Sequence, residues 1–387
     1  NVATAQRGLV IIEESNGTTV RESNLSDNTD SYGVKLAVAP AAGVVVYVTV
    51  SAARSTKNEE DQAGAGDSIL ITKGSVGSLL RDVDVAPAGD TTPDGYYREV
   101  AIDGSLTYVK NRTVVLAFDS TNWFTAQTVW VRAAEDKLAE GARVVTVSHA
   151  VDAAIVTADA GAAAAQAASV NLFDRTAVRN VEVSVIDDDA AGLVITQTDG
   201  LTRVLEGAAP YGITDHYTLA LAKVPTGGTV TVKLDFDIAQ LVVSSADGRL
   251  NSLTNSVTFG PGNYGAITID LAAKNEAAGT DIELRREDPL VSAITHTVTA
   301  ASSDAAYQVT GLTQRLAVEV LDDDVPSVIV RESNGATLVS ENGTTLVDSY
   351  FVRLASAPSG NVTIAIDTDG QTSTAPVSLT FTTGDWW

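Results

Sequence analysis

Two runs of three aspartates are the residues of this chain best suited to bind a metal ion. Each run closes an alternating apolar stretch, VEVSVI or LAVEVL, and a fresh apolar stretch follows, AGLVIT or PSVIV. Adjacent carboxylates repel one another unless a cation lies among them, and Ca²⁺ prefers such oxygen ligands. The runs are Asp187, Asp188, Asp189 and Asp322, Asp323, Asp324. Because both lie where one segment passes into the next, we predict calcium that stiffens the joints between modules.

Residues for other chemistry are sparse. The three histidines, His149, His216 and His296, share no metal-ligand spacing. His149 and His296 occupy matching positions in VSHAV and ITHTV, which favours a structural role over a catalytic or zinc-binding one. The sequence has no Cys, no G-x-S-x-G, no phosphate loop and no dinucleotide fingerprint. Paired carboxylates, as in glycosidases, lie at repeated positions and not in one cleft, so we expect no enzyme activity.

The composition indicates the surroundings in which the chain works. With 49 acidic and 25 basic residues the net charge is -24, which argues against binding nucleic acid or anionic lipid. The absence of Cys and Met suits an exposed extracellular protein that does not rely on disulfides. No apolar run reaches membrane-spanning length, and the first residues are no signal peptide. We therefore expect an extracellular protein with no direct membrane insertion, whose signal peptide was removed or lies outside this chain.

Three phrases recur along the chain in one order. The first reads GLVIIEESNGTTVRES, GLVITQTDGLTRVLEG and SVIVRESNGATLVSENG. The second reads TDSYGVKLAVAP, TDHYTLALAKVP and VDSYFVRLASAP, and the third reads VVLAFDSTNWF, SVTFGPGNYG and SLTFTTGDWW. Such recurrence predicts tandem modules. We place them at residues 1–189, 190–324 and, as a partial unit, 325–387.

The spacing of the phrases predicts an insertion in the first unit. Asp30, Asp215 and Asp348 hold the same place in the second phrase but lie 185 and 133 residues apart. The excess of about 50 residues falls at roughly 55–111 and includes the strand-like GYYREVAI; insertions of this kind usually decorate one face of a module. The third unit stops after its third phrase, so we expect either a fragment or a unit completed by another molecule.

The strand pattern predicts the fold class. Apolar and polar residues alternate in Val-, Thr- and Ile-rich stretches separated by Asn-Gly, Ala-Pro and Gly-rich turns. Many short strands of this kind indicate all-β, immunoglobulin-like antiparallel β-sandwiches in tandem. The one helix candidate, GAAAAQAAS near 160–168, has no apolar stripe to dock it, so we expect a loop there.

Taken in order, these pieces resemble the Calx-beta repeat. They are the early V-x-E-G-like stretch, the D-S-Y strand, the A-x-P turn, L-x-F before N-W, the A-x-E-D…E-G stretch and the final D-D-D. The resemblance spans two full units and half of a third. It implies a seven-stranded sandwich that binds calcium at one end, near the link to the next module. It also implies a location at a bacterial cell surface.

The resemblance also implies calcium ligands in each unit. In the first unit they are Glu22, Glu135, Asp136, Glu140, Asp187, Asp188 and Asp189. In the second unit they are Glu206, Asp322, Asp323 and Asp324. There Lys274 and Asn275 stand where the first unit has Glu135 and Asp136, so the second site should hold fewer ions or bind them more weakly. For the third unit only Glu341 is available.

Our leading hypothesis is a non-enzymatic structural protein whose calcium-loaded joints extend it as a surface layer, fibre or adhesin stalk. The insertion and the partial unit favour self-association with identical subunits through a bare strand edge, and a cell-surface glycan or protein is a possible further partner. One alternative is the carbohydrate-binding or spacer region of a larger secreted enzyme; it needs exposed aromatics, whereas Trp123, Tyr264 and Trp386 share a position that we expect to cap a core. A calcium sensor is a third alternative.

Overall fold

A computed structural model describes most of the chain and divides it into two compact units. The described residues of the first unit lie within 1–189, and those of the second lie within 190–387. The structure describes residues 10–13, 17–22, 29–53, 69–73, 96–100, 106–110, 112–133, 139, 141–207, 209–274, 290–308, 311–324, 326–333, 337–339 and 347–387. Glu135, Asp136, Glu140 and Glu341 lie outside the described residues.

The first unit is a sandwich of two sheets. Its strands are β1 (Val10–Glu13), β2 (Thr18–Arg21), β3 (Thr29–Leu36), β4 (Val44–Ala52), β5 (Ile69–Lys73), β6 (Tyr96–Val100), β7 (Leu106–Lys110), β8 (Thr113–Phe118), β9 (Gln127–Ala133), β10 (Arg143–Ile155) and β11 (Val181–Ile186). One sheet has the order β1-β3-β9-β5, the other β2-β11-β10-β4-β8, and β6 pairs with β7 alone. Alternate residues of β4 and β8 are buried, as period-two strands facing a core require.

The second unit begins with an equivalent sandwich. Its strands are β12 (Leu193–Gln197), β13 (Arg203–Leu205), β14 (Thr214–Leu221), β15 (Val230–Asp235), β16 (Leu241–Ser244), β17 (Leu250–Asn251), β18 (Ser256–Phe259), β19 (Ile267–Ala273), β20 (Leu290–Val298) and β21 (Thr313–Leu321). The sheet orders are β12-β14-β19-β16 and β13-β21-β20-β15-β18-β17. The predicted all-β fold is therefore confirmed.

The third repeat contributes four strands to the second unit. They are β22 (Val328–Glu332), β23 (Tyr350–Leu354), β24 (Val362–Ala365) and β25 (Ser378–Phe381). Among the described residues β22 pairs with β23 and β24 with β25. Inward-facing Val352 is only half-buried, whereas its counterparts Val34 and Leu219 are fully buried. The inner face of this repeat is therefore partly open.

One departure from antiparallel pairing brings the early glutamates to the aspartate runs. In each unit the first strand, β1 or β12, belongs to one sheet of the sandwich. The next strand, β2 or β13, crosses to the other sheet of the same unit, where it runs parallel to β11 or β21 respectively. Parallel strands end at the same edge of a sheet. The residue after β2 or β13 therefore lies beside the residue after β11 or β21.

The expectation of a loop near 160–168 is wrong. Helix α1 covers Ala163–Phe173 and buries Gln166, Ser169 and Phe173 on one face. The Gln166 amide donates to the carbonyls of Ala42 and Thr157, and the Ser169 hydroxyl accepts from a backbone N–H. Apolar contacts are confined to the end of the helix, where Phe173 enters the core, and polar anchors hold the turns before it. A search for an apolar stripe along the whole segment therefore did not reveal this helix. Among the described residues no helix is long and apolar enough to cross a membrane.

The two matching histidines each form a buried pair with a tyrosine between the sheets. Nε2 of His149 lies 3.0 Å from the Tyr32 hydroxyl, and Nε2 of His296 lies 2.7 Å from that of Tyr217. Nδ1 of each ring faces a backbone carbonyl, so it donates and Nε2 accepts from the tyrosine. Burial is the largest cause that lowers the pKa of each histidine to about 4. This geometry fits the structural role predicted for them.

Part of the predicted insertion belongs to the sandwich itself. Strand β5 pairs with β9 at the edge of the first sheet, as β16 pairs with β19 in the second unit. The strand-like GYYREVAI forms β6, which pairs with β7. The described part of the insertion thus completes a sheet and adds one hairpin.

Candidate metal site

The second aspartate run lies at the end of β21, beside the end of β13. Leu205 pairs with Leu321 in parallel register, and the N–H of Glu206 donates to the Leu321 carbonyl at 3.0 Å. Glu206 therefore stands next to Asp322. One carboxylate oxygen each of Glu206, Asp322 and Asp323 lies within 4.8 Å of the others. This is the only such group of three found among the described residues.

A local turn fixes the shape of both aspartate runs. Oδ1 of Asp322 accepts the N–H of Asp324 at 2.7 Å, and Oδ1 of Asp187 accepts the N–H of Asp189 at 2.7 Å. Aspartates favour this turn because the side chain bonds the backbone two residues on. The first carboxylate of each run therefore fixes the local fold of the chain.

Burial and neighbouring charge both perturb Asp323. Burial raises its pKa, and the negative charges of Asp324 and Asp322 raise it further. Gly207 approaches closely, since a Cβ there would lie 3.1 Å from Oδ2 of Asp323. A cation among these oxygens would lower the pKa of Asp323 by making its charged form favourable. The donor set, all carboxylate oxygens, fits Ca²⁺ or another hard cation, with the remaining ligands from backbone or water.

The first run has a different environment in its described part. Glu22 holds the place of Glu206, since its N–H donates to the Ile186 carbonyl at 2.9 Å. The side chain of Glu22 is 1% exposed, and its Oε1 accepts from Arg143 Nη2 at 2.8 Å. Asp187 is also buried and accepts the N–H of Gly141 at 2.5 Å. A guanidinium therefore compensates the charge of Glu22 in this unit.

Arg143 was not among the predicted site residues, although the repeats contain a signal for it. Arg143 pairs with Val185, two residues before Asp187, and Leu290 pairs with Val320, two residues before Asp322. The two positions are therefore equivalent, and one carries a cation where the other carries an aliphatic residue. Lys274, which we expected to weaken the second site, directs its ammonium to the Ile238 carbonyl at 3.4 Å.

The structure places eight of the eleven predicted ligands, in two groups. Glu206, Asp322 and Asp323 lie together, with Asp324 next in the chain and exposed. Glu22, Asp187, Asp188 and Asp189 lie at the ends of two adjacent strands of the first unit. Glu135, Asp136 and Glu140 are outside the described residues, so their part in the first site stays a prediction.

Comparisons with known proteins concern the fold. No protein-family model and no curated protein matches this sequence. The calcium binding domain CBD12 of CALX1.1 is similar over 80% of this chain and 99% of its own, at 11% identity and a TM-score of 0.26. CBD12 from CALX1.2 is similar over 74% and 81%, at 12% identity and a TM-score of 0.23. The Actinomyces fimbrial adhesin FimA is similar over 82% and 98%, at 11% identity and a TM-score of 0.21. Identity this low leaves function to the chemistry of this chain's own residues.

Proposed function

We propose that this chain is a non-enzymatic extracellular structural or adhesive protein whose β-sandwich modules are held in a fixed arrangement by calcium. One observation carries the proposal. The carboxylates of Glu206, Asp322 and Asp323 converge within 4.8 Å immediately before the third repeat begins. A divalent ion there would join two loops of one module at the point where the next module starts.

Electrostatics supports a role for the ion in rigidity. Without a cation, repulsion pushes Glu206 away from the two aspartates and loosens the loop that follows it. When a cation is bound, the same oxygens are attracted to it and the loop is fixed. Binding free energy of this kind adds to folding free energy, because the unfolded chain has no preformed site. We therefore expect the joint between the second and third repeats to be fixed in calcium and to bend without it.

The third repeat supports self-association as a further part of the proposal. Its inward-facing Val352, Val362 and Ile364 are half-buried, and each of its described strand pairs has an unpaired outer edge among the described residues. Strands added from another molecule would form backbone hydrogen bonds with these edges, as in β-augmentation. A second copy supplying such strands would build a fibre or layer. Sedimentation that shows only monomers at high protein concentration in calcium would remove this part.

The carbohydrate-binding alternative has less support. Trp386 is 5% exposed and packs in a small core with Leu354 and Phe381, as predicted for a core-capping ring. Trp123 packs partly buried against the first core, and Tyr264 is half-buried. A sugar needs an open aromatic face to stack on, and Trp386 does not offer one.

Small-angle scattering with calcium and with chelator tests the proposal. We expect a larger and better-defined maximum dimension in calcium, together with a higher Tm. The variant Glu206→Gln should respond less than the wild-type chain, while Asp235→Asn, an exposed aspartate of the same unit, should respond as the wild type does. Unchanged dimensions and an unchanged Tm in the wild-type chain would contradict the proposal.

A further inference from the structure

A short loop connects the carboxylate group to the third repeat. It leaves β13 at Leu205, and Ile213 closes it by a two-way backbone pair with Leu205 at 3.0 and 3.2 Å. Its first residue is Glu206, and its Gly207 has a φ of +122° and lies against Asp323. The base of the loop is therefore set by the same residues that form the candidate metal site.

The tip of this loop contacts the aromatic end of the third repeat. The Tyr211 ring stacks on Trp386, with centroids 5.2 Å apart and planes 18° from parallel, and meets Trp387 edge to face at 5.2 Å. Arg353 donates a hydrogen bond from Nη2 to the Tyr211 carbonyl at 2.5 Å. The guanidinium of Arg353 also lies over the Trp386 ring, with its Cζ 5.8 Å from the ring centroid. Burial lowers the pKa of Arg353. We call Tyr211, Arg353, Trp386 and Trp387 the aromatic clasp.

The rest of this joint is small. Its buried apolar contact consists of Leu205, Ile329 and Ala355, with Ile213 and Leu321 packed beside them. A half-open pocket of about 540 Å³ lies beside Ile213, Ile329 and Tyr350. Because the buried apolar contact involves so few side chains, it offers few van der Waals contacts to hold the joint closed. The clasp therefore supplies much of what holds the two repeats together.

We propose that Tyr211 is the positioning residue through which cation binding at Glu206 and Asp323 fixes the third repeat. This inference rests on the proposed function, because it assigns the joint that the bound ion would control. A cation that draws Glu206 and Asp323 together fixes the base of the loop, and the fixed loop presents the Tyr211 ring to Trp386. Repulsion in the ion-free state loosens the base and withdraws the ring. Since coupling between two sites is reciprocal, loss of the clasp must also weaken cation binding.

Distance measurements between the two repeats test this coupling in the full chain. The chain has no cysteine, so a pair introduced at exposed Ser252 and Thr368 takes spin labels at two sites only. Calcium should narrow the distance distribution in the wild-type chain and in Tyr211→Phe, which keeps the ring. Tyr211→Ala should stay broad in calcium. Tyr264→Ala, at a half-buried tyrosine of the same unit, is the matched control and should behave as the wild type.

Equilibrium dialysis with calcium separates failure of this inference from failure of the proposed function. We expect the affinity of Tyr211→Ala for calcium to be lower than that of the wild-type chain by roughly fivefold or more. Its thermal denaturation should still show the unfolding transitions of both units. Calcium that binds the wild-type chain and narrows the distribution equally in Tyr211→Ala would overturn the inference and leave the proposed function standing. A wild-type chain that binds no calcium in dialysis would overturn the proposed function itself.

Discussion

Replacing Asp323 by asparagine should stabilise the second unit without calcium and destabilise it with calcium. Asp323 belongs to a group of carboxylate oxygens within 4.8 Å, and its pKa is raised by burial and then by Asp324 and Asp322. Two unit charges at that separation repel by about 1 kcal/mol at the dielectric constant of water and by about 3 kcal/mol at a value near 20. Because Asp323 is only half-buried, we expect a gain of about 1–2 kcal/mol in the free energy of unfolding when its charge is removed.

In calcium the wild-type chain should be more stable than Asp323→Asn, the reverse of their order in chelator. At a concentration about 100 times Kd, an ion that binds only the folded state stabilises it by about 2.7 kcal/mol. Asparagine keeps one neutral oxygen but no charge, so Asp323→Asn should lose most of that gain. Scanning calorimetry of the full chain in chelator and in calcium measures both effects, with Asp235→Asn as the control for an exposed aspartate. A variant less stable than the wild type in chelator, or one with an undiminished calcium response, would refute the reasoning.

Two further predictions concern buried titratable side chains. Burial is the main cause that lowers the pKa of His296 from its ordinary value of 6.5 to about 4. The unfolded state therefore binds the extra proton first, and the free energy of unfolding falls as the pH drops from about 6.5 to 4. His296→Gln, which can keep the hydrogen bond from Tyr217, should flatten that part of the stability profile, and an unchanged slope would contradict this. Arg143→Leu leaves Glu22 buried without its guanidinium and should lower the free energy of unfolding by about 3 kcal/mol in denaturant titration. A loss no larger than that of Arg315→Leu, at an exposed arginine, would show that the pair contributes little.

The fold was largely predictable because its signal is local. Period-two alternation, turn residues and repeated phrases each lie within a few residues, and the structure bears out the sandwiches they indicate. The location of the aspartate runs at strand ends was predictable in the same way, since each run directly follows an alternating stretch of sequence. The crossing of β2 and β13 into the second sheet has no local signal, because parallel pairing depends on residues far apart in sequence. The nearness of Glu206 to Asp322 therefore came from the family resemblance and not from the pattern.

Contacts between distant polar or aromatic residues were the least predictable features. Helix α1 docks through Gln166 and Ser169, which a search for apolar stripes overlooks. Arg143 is a single residue whose meaning emerges only when it is set against Leu290 in the aligned repeats. No sequence pattern marks the contact of Tyr211, because its partner Trp386 lies in another repeat. Each case depends on tertiary packing that single-sequence periodicity does not encode.

The position of the ion itself tests the central claim most directly. Crystals of the chain grown in calcium, with diffraction recorded at a wavelength where calcium scatters anomalously, should contain an anomalous peak bonded to oxygens of Glu206, Asp322 and Asp323. Calcium–oxygen distances of about 2.3–2.6 Å would identify the ion. Water alone beside these three carboxylates, at a calcium concentration that saturates other sites in the crystal, would contradict the account.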